Sequence, residues 1–363
     1  MPEVIINGRF LTSQVTGVQR YGIELFRSLD LILENQEYRE LQFLCLVPPD
    51  AKNLPEWSRI KIEKVGINRA NLWEQLDLPL HARGRLIFSP ANSGPVFYFN
   101  QVVTLHDANV FLIPQAYSFL FRLKYYFSYF LFARFARQII TDSVFSQGEL
   151  ARYLHVRPDR IIPVLLGGDH LERIPADAGI LGKRGLTSKG YLLSVSSLSK
   201  HKNFERLVSA LQLVKTDLKL AATGGSNRIF KPETVQSAVE NVIHLGFVSD
   251  QGLKALYENA LAFISPSLFE GFGLPILEAM SCGCPVICSK SASLPEAGRN
   301  AALYFDPYDV ENMAETIEQL ISNPDLQDDL IRRGYENVAG FRWEATALKT
   351  LKIIQTCSGK ESV

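Results

Sequence analysis

The chain of 363 residues carries no net charge, its 38 lysines and arginines balancing 38 aspartates and glutamates. A protein built to hold phosphate backbones shows a basic excess, so nucleic acid is not the expected partner and a small ligand is favoured. Long hydrophobic runs are missing as well. The most apolar window, FLFRLKYYFSYFLFARFA over 119–136, is broken by Arg122, Lys124 and Arg134, with nine uncharged residues between the last two. A membrane-crossing helix needs roughly twenty apolar residues in succession, so this segment does not span. Its mixture of aromatic and basic side chains suits either a membrane surface or a buried amphipathic face. Cysteine is scarce and irregular: Cys45, Cys282, Cys284, Cys288 and Cys357 are odd in number and share no repeated spacing. The start, MPEVIINGRF, reads as a strand rather than a leader, because Glu3 and Asn7 interrupt it. Together these features imply a reducing, cytoplasmic setting. The Cys282–Cys288 cluster lacks the spacing of zinc ligands and has no histidine beside it, so no metal is expected.

What the chain does have is alternation. Short apolar runs at 4–6, 43–47, 86–89, 102–105 and 138–141 are expected as strands, and so are those at 191–196, 218–223, 242–245, 261–265, 285–289 and 302–305. Helical patterns such as FERLVSALQLV and SDQGLKALYENA separate them. Strands spaced by helices predict parallel sheets with right-handed crossovers. The series pauses at Asp169–Lys189, a polar, aperiodic stretch expected as a linker between halves 1–168 and 169–342. Each half is then a doubly wound α/β sheet, with ligands at the carboxyl ends of strands near a switch point. Two such halves facing one another predict a cleft for a small molecule.

The stretch FEGFGLPILEAMSCGCPVI, Phe269 to Ile287, is the richest in chemistry. A strand ends in LAFISPS, the chain turns through LFEGFG, and Pro275 suits the first turn of a helix that Gly283 can end. The amides of Gly271, Phe272, Gly273 and Leu274 thus gather at a helix start, where an anion is favoured. Two acids, Glu270 and Glu278, flank this anion site. A carboxylate beside a phosphate must face hydroxyl donors, and a nucleotide-sugar offers them on both sides of its diphosphate. The bland alternative is an acid favouring the helix dipole plus a surface glutamate.

Elsewhere, Lys202 in SVSSLSKHKNFERL follows a strand and precedes a helix that Asn203 would cap. It is a point charge suited to a diphosphate, or simply a solvated lysine. His106 ends the run VVTL and is followed by Asp107, which places it on a ligand-facing edge where it could donate to a sugar hydroxyl, or pack against Asp107. Thr16–Gly17 lies between the first strand and the first helix. The turn ATGGSN, 222–227, is too short for a dinucleotide fingerprint.

The segment SPSLFEGFGLPILEAMSCGCPVI resembles the E-x7-E motif of retaining glycosyltransferases of family four. The likeness extends through SASLPEAGRNAALYFDP and NVIHLGFVSDQGLKALYENA, and more thinly through TGVQRYGIEL, VVTLHDANVFL and IITDSVFSQGEL. It implies the GT-B fold, two Rossmann-like lobes facing across a cleft, with 343–363 forming a helix that returns to the first lobe. By the same resemblance, Glu270 would hold the transferred sugar, the amides of Gly271 to Leu274 the sugar and distal phosphate, and Glu278 the ribose. Lys202, helped by Lys200, would bind the diphosphate; Phe247 and Val248 would line the base pocket; His106 and Gly17 would lie near the transferred sugar and the phosphates. One departure is Ser197, where the family often has arginine.

The activity implied is retaining hexosyl transfer from a nucleoside-diphosphate sugar, with GDP-mannose ahead of UDP-hexose and dTDP-deoxysugar. The acceptor would be a glycan, lipid-linked at the inner membrane face, in surface-polysaccharide assembly. No cofactor is expected beyond the co-substrate. The alternatives are a nucleotide-sugar epimerase or hydrolase of the same fold, and a binding scaffold without activity.

Overall fold

The computed structural model describes residues 3–35, 38, 41–195, 199–224 and 241–359; Ser196, Ser197 and the turn residues 225–227 lie outside them. The chain divides into two compact units, one of Met1–Leu166 with Trp343–Val363, the other of Gly167–Arg342.

The first unit is a seven-stranded parallel sheet. Its strands are β1 (Glu3–Asn7), β2 (Gln42–Val47), β3 (Ile60–Lys64), β4 (Ile87–Ser89), β5 (Gln101–Thr104), β6 (Gln138–Thr141) and β7 (Ile161–Pro163), in the order β3-β2-β1-β4-β5-β6-β7. The second is a six-stranded parallel sheet of β8 (Tyr191–Val195), β9 (Lys219–Thr223), β10 (Val242–Gly246), β11 (Ala262–Ser265), β12 (Val286–Ser289) and β13 (Ala302–Phe305), in the order β10-β9-β8-β11-β12-β13. In both, the strand order reverses once, between β1 and β4 and between β8 and β11. Those reversals are the switch points at which such sheets open a crevice.

The central strands form because both of their faces are covered. Val4, Ile5 and Ile6 of β1 and Phe263 and Ile264 of β11 are buried, as a parallel sheet with helices on each side requires. The second core unites Leu192, Phe204, Leu207, Ile264, Ile287 and Ile317 from strands and helices. Two strands escape the sequence pattern. β3 reads IKIEK, with charged residues alternating along it, and β7 has only three residues; both are edges, with one neighbour each.

The stretch 169–189, expected as a linker, is folded into the second unit instead. It opens with a 3-10 turn, Asp169–Arg173, that buries His170 and Leu171. The chain re-enters the first unit at Trp343, and helix Trp343–Cys357 is held there by a bond from Thr346 Oγ1 to the Leu165 carbonyl (2.8 Å). No helix among the described residues is long and apolar enough to cross a membrane.

Candidate active site

At the switch point of the second unit, β8 and β11 are hydrogen-bonded neighbours, so the loops leaving their carboxyl ends must meet. The first loop turns at Lys200–Lys202 and the second carries Glu270. Lys202 Nζ donates to Glu270 Oε1 at 2.6 Å, with the two side chains 19% and 18% exposed. The Leu268 N–H donates to the His201 carbonyl at 2.8 Å and ties the two loops together. Burial by itself would raise the Glu270 carboxyl. The charge and hydrogen bond of Lys202, with Ser267 and His201, outweigh burial and hold it below the ordinary carboxylate range. His201 is pushed the other way, to about 4, by burial and the Lys202 charge against a smaller pull from Glu270. Its imidazole is therefore neutral near pH 7, and its buried Nδ1 has no hydrogen-bond partner among the described residues. Lys200 stands exposed on the same turn. Asn203 occupies the N-cap of the next helix but does not cap it with its side chain. It takes a left-handed conformation (φ 57°) and spends its amide on the Pro307 carbonyl (2.8 Å).

A row of hydroxyls supports the Glu270 loop from behind. Ser289 Oγ donates to the Ser267 carbonyl, Ser291 Oγ to Leu268 (2.6 Å) and Ser293 Oγ to Glu270 (2.8 Å). In a planar trans peptide the N–H points opposite to the C=O, so each pinned carbonyl also aims the following amide. The first of these peptides shows it: with the Ser267 carbonyl on Ser289, the Leu268 N–H reaches His201. By the same geometry Ser293 fixes the direction of the Gly271 amide. Ser293→Ala should remove the hydrogen bond to the Glu270 carbonyl, at about 0.5–1.5 kcal/mol of stability, and should weaken donor binding, while Ser293→Thr restores both. Denaturant unfolding and a donor titration on the two variants check this.

Beyond Gly271 the chain takes a conformation open to glycine. Gly273 has φ 105°, ψ 42° and is the N-cap of the eight-residue helix Leu274–Ser281, with Pro275 in its first turn and no side-chain cap. Phe272 and Leu274 turn their side chains into the core, so these two residues offer a ligand their backbone. The first amides of a helix have no intrahelical acceptor, and the helix dipole favours an anion there.

Glu278 is not the surface glutamate of the bland reading. It is buried, with Oε1 3.1 Å from His170 Nε2 and Oε2 accepting from the Tyr257 hydroxyl at 3.0 Å. Burial first, then the Glu278 charge, drives the Tyr257 hydroxyl well above its usual range, so it stays a donor. Phe247 and Val248 follow the edge strand β10; Phe247 is exposed and Val248 half-buried.

In the first unit, His106 is buried at the end of β5, and its partner is Asp142 rather than Asp107. Nδ1 lies 2.8 Å from Asp142 Oδ2 and Nε2 lies 2.9 Å from the Pro90 carbonyl. A carbonyl only accepts, so Nε2 carries a proton; facing a carboxylate, Nδ1 carries the other. Burial disfavours the imidazolium, but Asp142, with Asp107 and Pro90 behind it, more than compensates, and the His106 pKa is raised. With both N–H groups engaged, His106 has none to offer a sugar hydroxyl unless one bond opens. A raised folded-state pKa contributes stability that is full below the unfolded value of about 6.5 and is lost as pH rises through the folded value. Unfolding midpoints should therefore fall on the alkaline side of neutrality, and Asp142→Asn should flatten that slope in a pH series. Gly17 is the first residue of helix Gly17–Ile32, which Thr16 and Gln19 cap reciprocally.

The structure thus gathers Lys200, Lys202, Glu270 and the Gly271–Leu274 turn in the second unit, while His106 and Gly17 belong to the first. His170, Tyr257, His201, Ser289, Ser291 and Ser293 were not singled out from sequence, although Tyr257, Ser291 and Ser293 lie inside segments that carry the family likeness. Among the described residues no group of three or more histidines, cysteines and acids is placed to hold a metal.

Two Rossmann-like units, one with a lysine–glutamate pair and a glycine-led helix start at its switch point, define the GT-B class of architecture. The chain is similar in structure to sucrose-phosphate synthase from Thermosynechococcus elongatus, with TM-score 0.75 and 21% identity over 98% of each chain. It is also similar to Anabaena HepE in complex with UDP and glucose, with TM-score 0.74 and 17% identity over 98% of this chain and 100% of that one. Those likenesses speak to the fold. In sequence, the family described as Glycosyl transferases group 1 matches residues 182–337. The O-antigen chain mannosyltransferase B of Escherichia coli is 30% identical, over 93% of this chain and 95% of its own length. The O-antigen chain mannosyltransferase RfbU of Salmonella typhimurium is 26% identical over 62% of each. The chain belongs to the group 1 glycosyl transferases, and it is a glycosyltransferase.

Proposed function

We propose that the enzyme transfers a mannosyl unit from a nucleoside-diphosphate sugar, GDP-mannose first among candidates, to a hydroxyl of a lipid-linked glycan in O-antigen or related surface-polysaccharide assembly. The observation that carries this is the Lys202–Glu270 pair beside the Gly273 turn, a cation and an anion at one switch point. The named activities of the Escherichia coli and Salmonella relatives support mannose and the polysaccharide setting. UDP in the HepE structure supports a nucleoside diphosphate without choosing the base.

In this reading the bond from the anomeric carbon to the diphosphate oxygen breaks, and a bond to the acceptor oxygen forms on the same face. Bond formation on that same face retains configuration, and the acceptor proton passes to the departing phosphate. Lys202, Lys200 and the Gly271–Leu274 amides stabilise the charge that develops on the diphosphate. Glu270, ionised at neutral pH, orients the sugar through its hydroxyls. Glu278, held by His170 and Tyr257, presents a fixed charge on the nucleotide side, and Phe247 with Val248 borders the base. His106 shapes the loop after β5 rather than shuttling a proton. The enzyme would work at the cytoplasmic side of a membrane, where such donors are made available.

The test offers GDP-mannose, UDP-glucose and a dTDP-deoxyhexose with a mannose-terminated acceptor and reads product mass and anomeric configuration. Transfer of mannose with retention is expected. Preferred transfer from a UDP or dTDP donor would overturn the mannose assignment, turnover without acceptor would favour a hydrolase or epimerase, and binding without turnover would favour a scaffold.

A further inference from the structure

The helix Phe119–Phe135 in the first unit is apolar on both sides. Its inner side puts Tyr129, Phe132 and Ala133 into a buried core. Its outer side should be polar on a surface helix. Instead Leu120, Leu123, Phe127 and Phe130 stand exposed at i, i+3, i+7 and i+10, Leu120 by 75% and Phe127 by 53%. This spacing is a single stripe along the helix. A separate turn widens it. Phe97, 77% exposed, meets Phe127 edge-on with centroids 6.4 Å apart, and exposed Phe99 lies 4.8 Å from Phe135. Scattered exposed phenylalanines are ordinary, whereas a contiguous face of them from two chain segments marks an interaction site.

Charge narrows the partner. From Ala108 to Thr141 there is no acid, while Arg122, Lys124, Arg134 and Arg137 are all basic. Arg134 lies over the exposed Phe130 ring, its guanidinium carbon 4.9 Å from the centroid. At a lipid surface such cations reach headgroups while the rings between them sit at the acyl boundary. We infer that this face docks on an anionic lipid bilayer, with the helix lying in the interface plane and the Leu123–Phe127 stripe inserted. The inference stands on this patch alone and does not depend on the donor or the sugar.

Flotation of the full chain with vesicles of phosphatidylglycerol and phosphatidylethanolamine, against phosphatidylcholine alone, tests it. Binding to the anionic vesicles is expected to exceed binding to phosphatidylcholine at least about tenfold and to weaken with salt. A Leu123→Ser, Phe127→Ser double variant changes exposed positions and should keep its unfolding midpoint, yet lose about tenfold in binding, as each apolar group leaves the boundary. Arg134→Glu should cost more than the roughly fivefold that a single neutralised charge near such a surface costs. Failure of the wild type to float with anionic vesicles would overturn the inference, as would equal flotation of the double variant. So would a concentration-dependent dimer in sedimentation that the variant abolishes, because the face would then belong to a second copy. Calorimetric titration of nucleotide-sugars into the same proteins keeps this outcome separate from any failure of the proposed reaction.

Discussion

Lys202→Met is expected to lower kcat/KM by about 10²–10³, the loss that follows removal of one preorganised donor to developing negative charge. The side chain has that leverage because of where it is held. Its ammonium is fixed by Glu270 at 2.6 Å, on a turn anchored through Leu268 and His201, so little reorganisation remains when a diphosphate arrives. Glu270→Gln should cause a comparable fall by a different route. The amide keeps the shape but loses the charge that orients Lys202 and accepts from sugar hydroxyls. Because the two act as a unit, the double variant should be little worse than either single one. Additive losses would mean that the residues work independently, and unchanged turnover with unchanged donor affinity would remove both from the site. The pH profile adds a sign. Glu270 has a lowered folded-state pKa, so its ionised contribution is present above the ordinary carboxylate value of about 4.3 and fades as pH falls through the folded value. Glu270→Gln should erase that acidic limb in both activity and unfolding.

The sequence shows those parts of the fold that physics writes locally. Central strands such as β1 and β11 announce themselves because burial on both faces demands uninterrupted apolar residues. Edge strand β3 does not, since with a neighbour on one side only it admits Lys61, Glu63 and Lys64. The glycine turn was legible for a similar reason: strand, Gly271, Gly273, Pro275 and helix lie next to one another in the chain, and each residue type has a backbone reason to be there.

Partnerships were not legible, because they depend on strand order. Lys202 and Glu270 are 68 residues apart and meet because β8 and β11 are neighbours across the switch point. His106 stands beside Asp107 in the chain, yet it bonds Asp142, 36 residues on, because β5 pairs with β6 and both loops leave the same edge. His170 sits in a stretch without periodicity, and its place in the structure comes from burial in the turn Asp169–Arg173 and from its contact with Glu278. The serines at 289, 291 and 293 read as an ordinary strand end and loop until their hydroxyls are seen on three carbonyls of the Glu270 segment.

Gly273→Ala is the strongest test of the turn itself. At φ 105° an added Cβ is strained whatever the space around it, and here it would also come within 2.7 Å of Leu294 Cδ2 and 3.4 Å of Ile276 Cδ1. Leu294 is fully buried, so it has nowhere to swing. Left-handed strain of about 1–2 kcal/mol and overpacking of about 1–3 kcal/mol act together, giving an expected loss of about 2–5 kcal/mol of unfolding free energy. If the helix start shifts to relieve the clash, the Gly271–Leu274 amides move with it, and donor affinity should fall further than stability alone explains. Gly17→Ala is the matched control. Its added Cβ meets nothing within 4 Å and its φ is not positive, so the change in stability should be small, at most about 1 kcal/mol and favourable in sign. Urea unfolding with parallel nucleotide-sugar titration distinguishes the outcomes. A Gly273→Ala protein as stable as wild type and equal to it in donor affinity would show that the turn neither needs its conformation nor touches the donor.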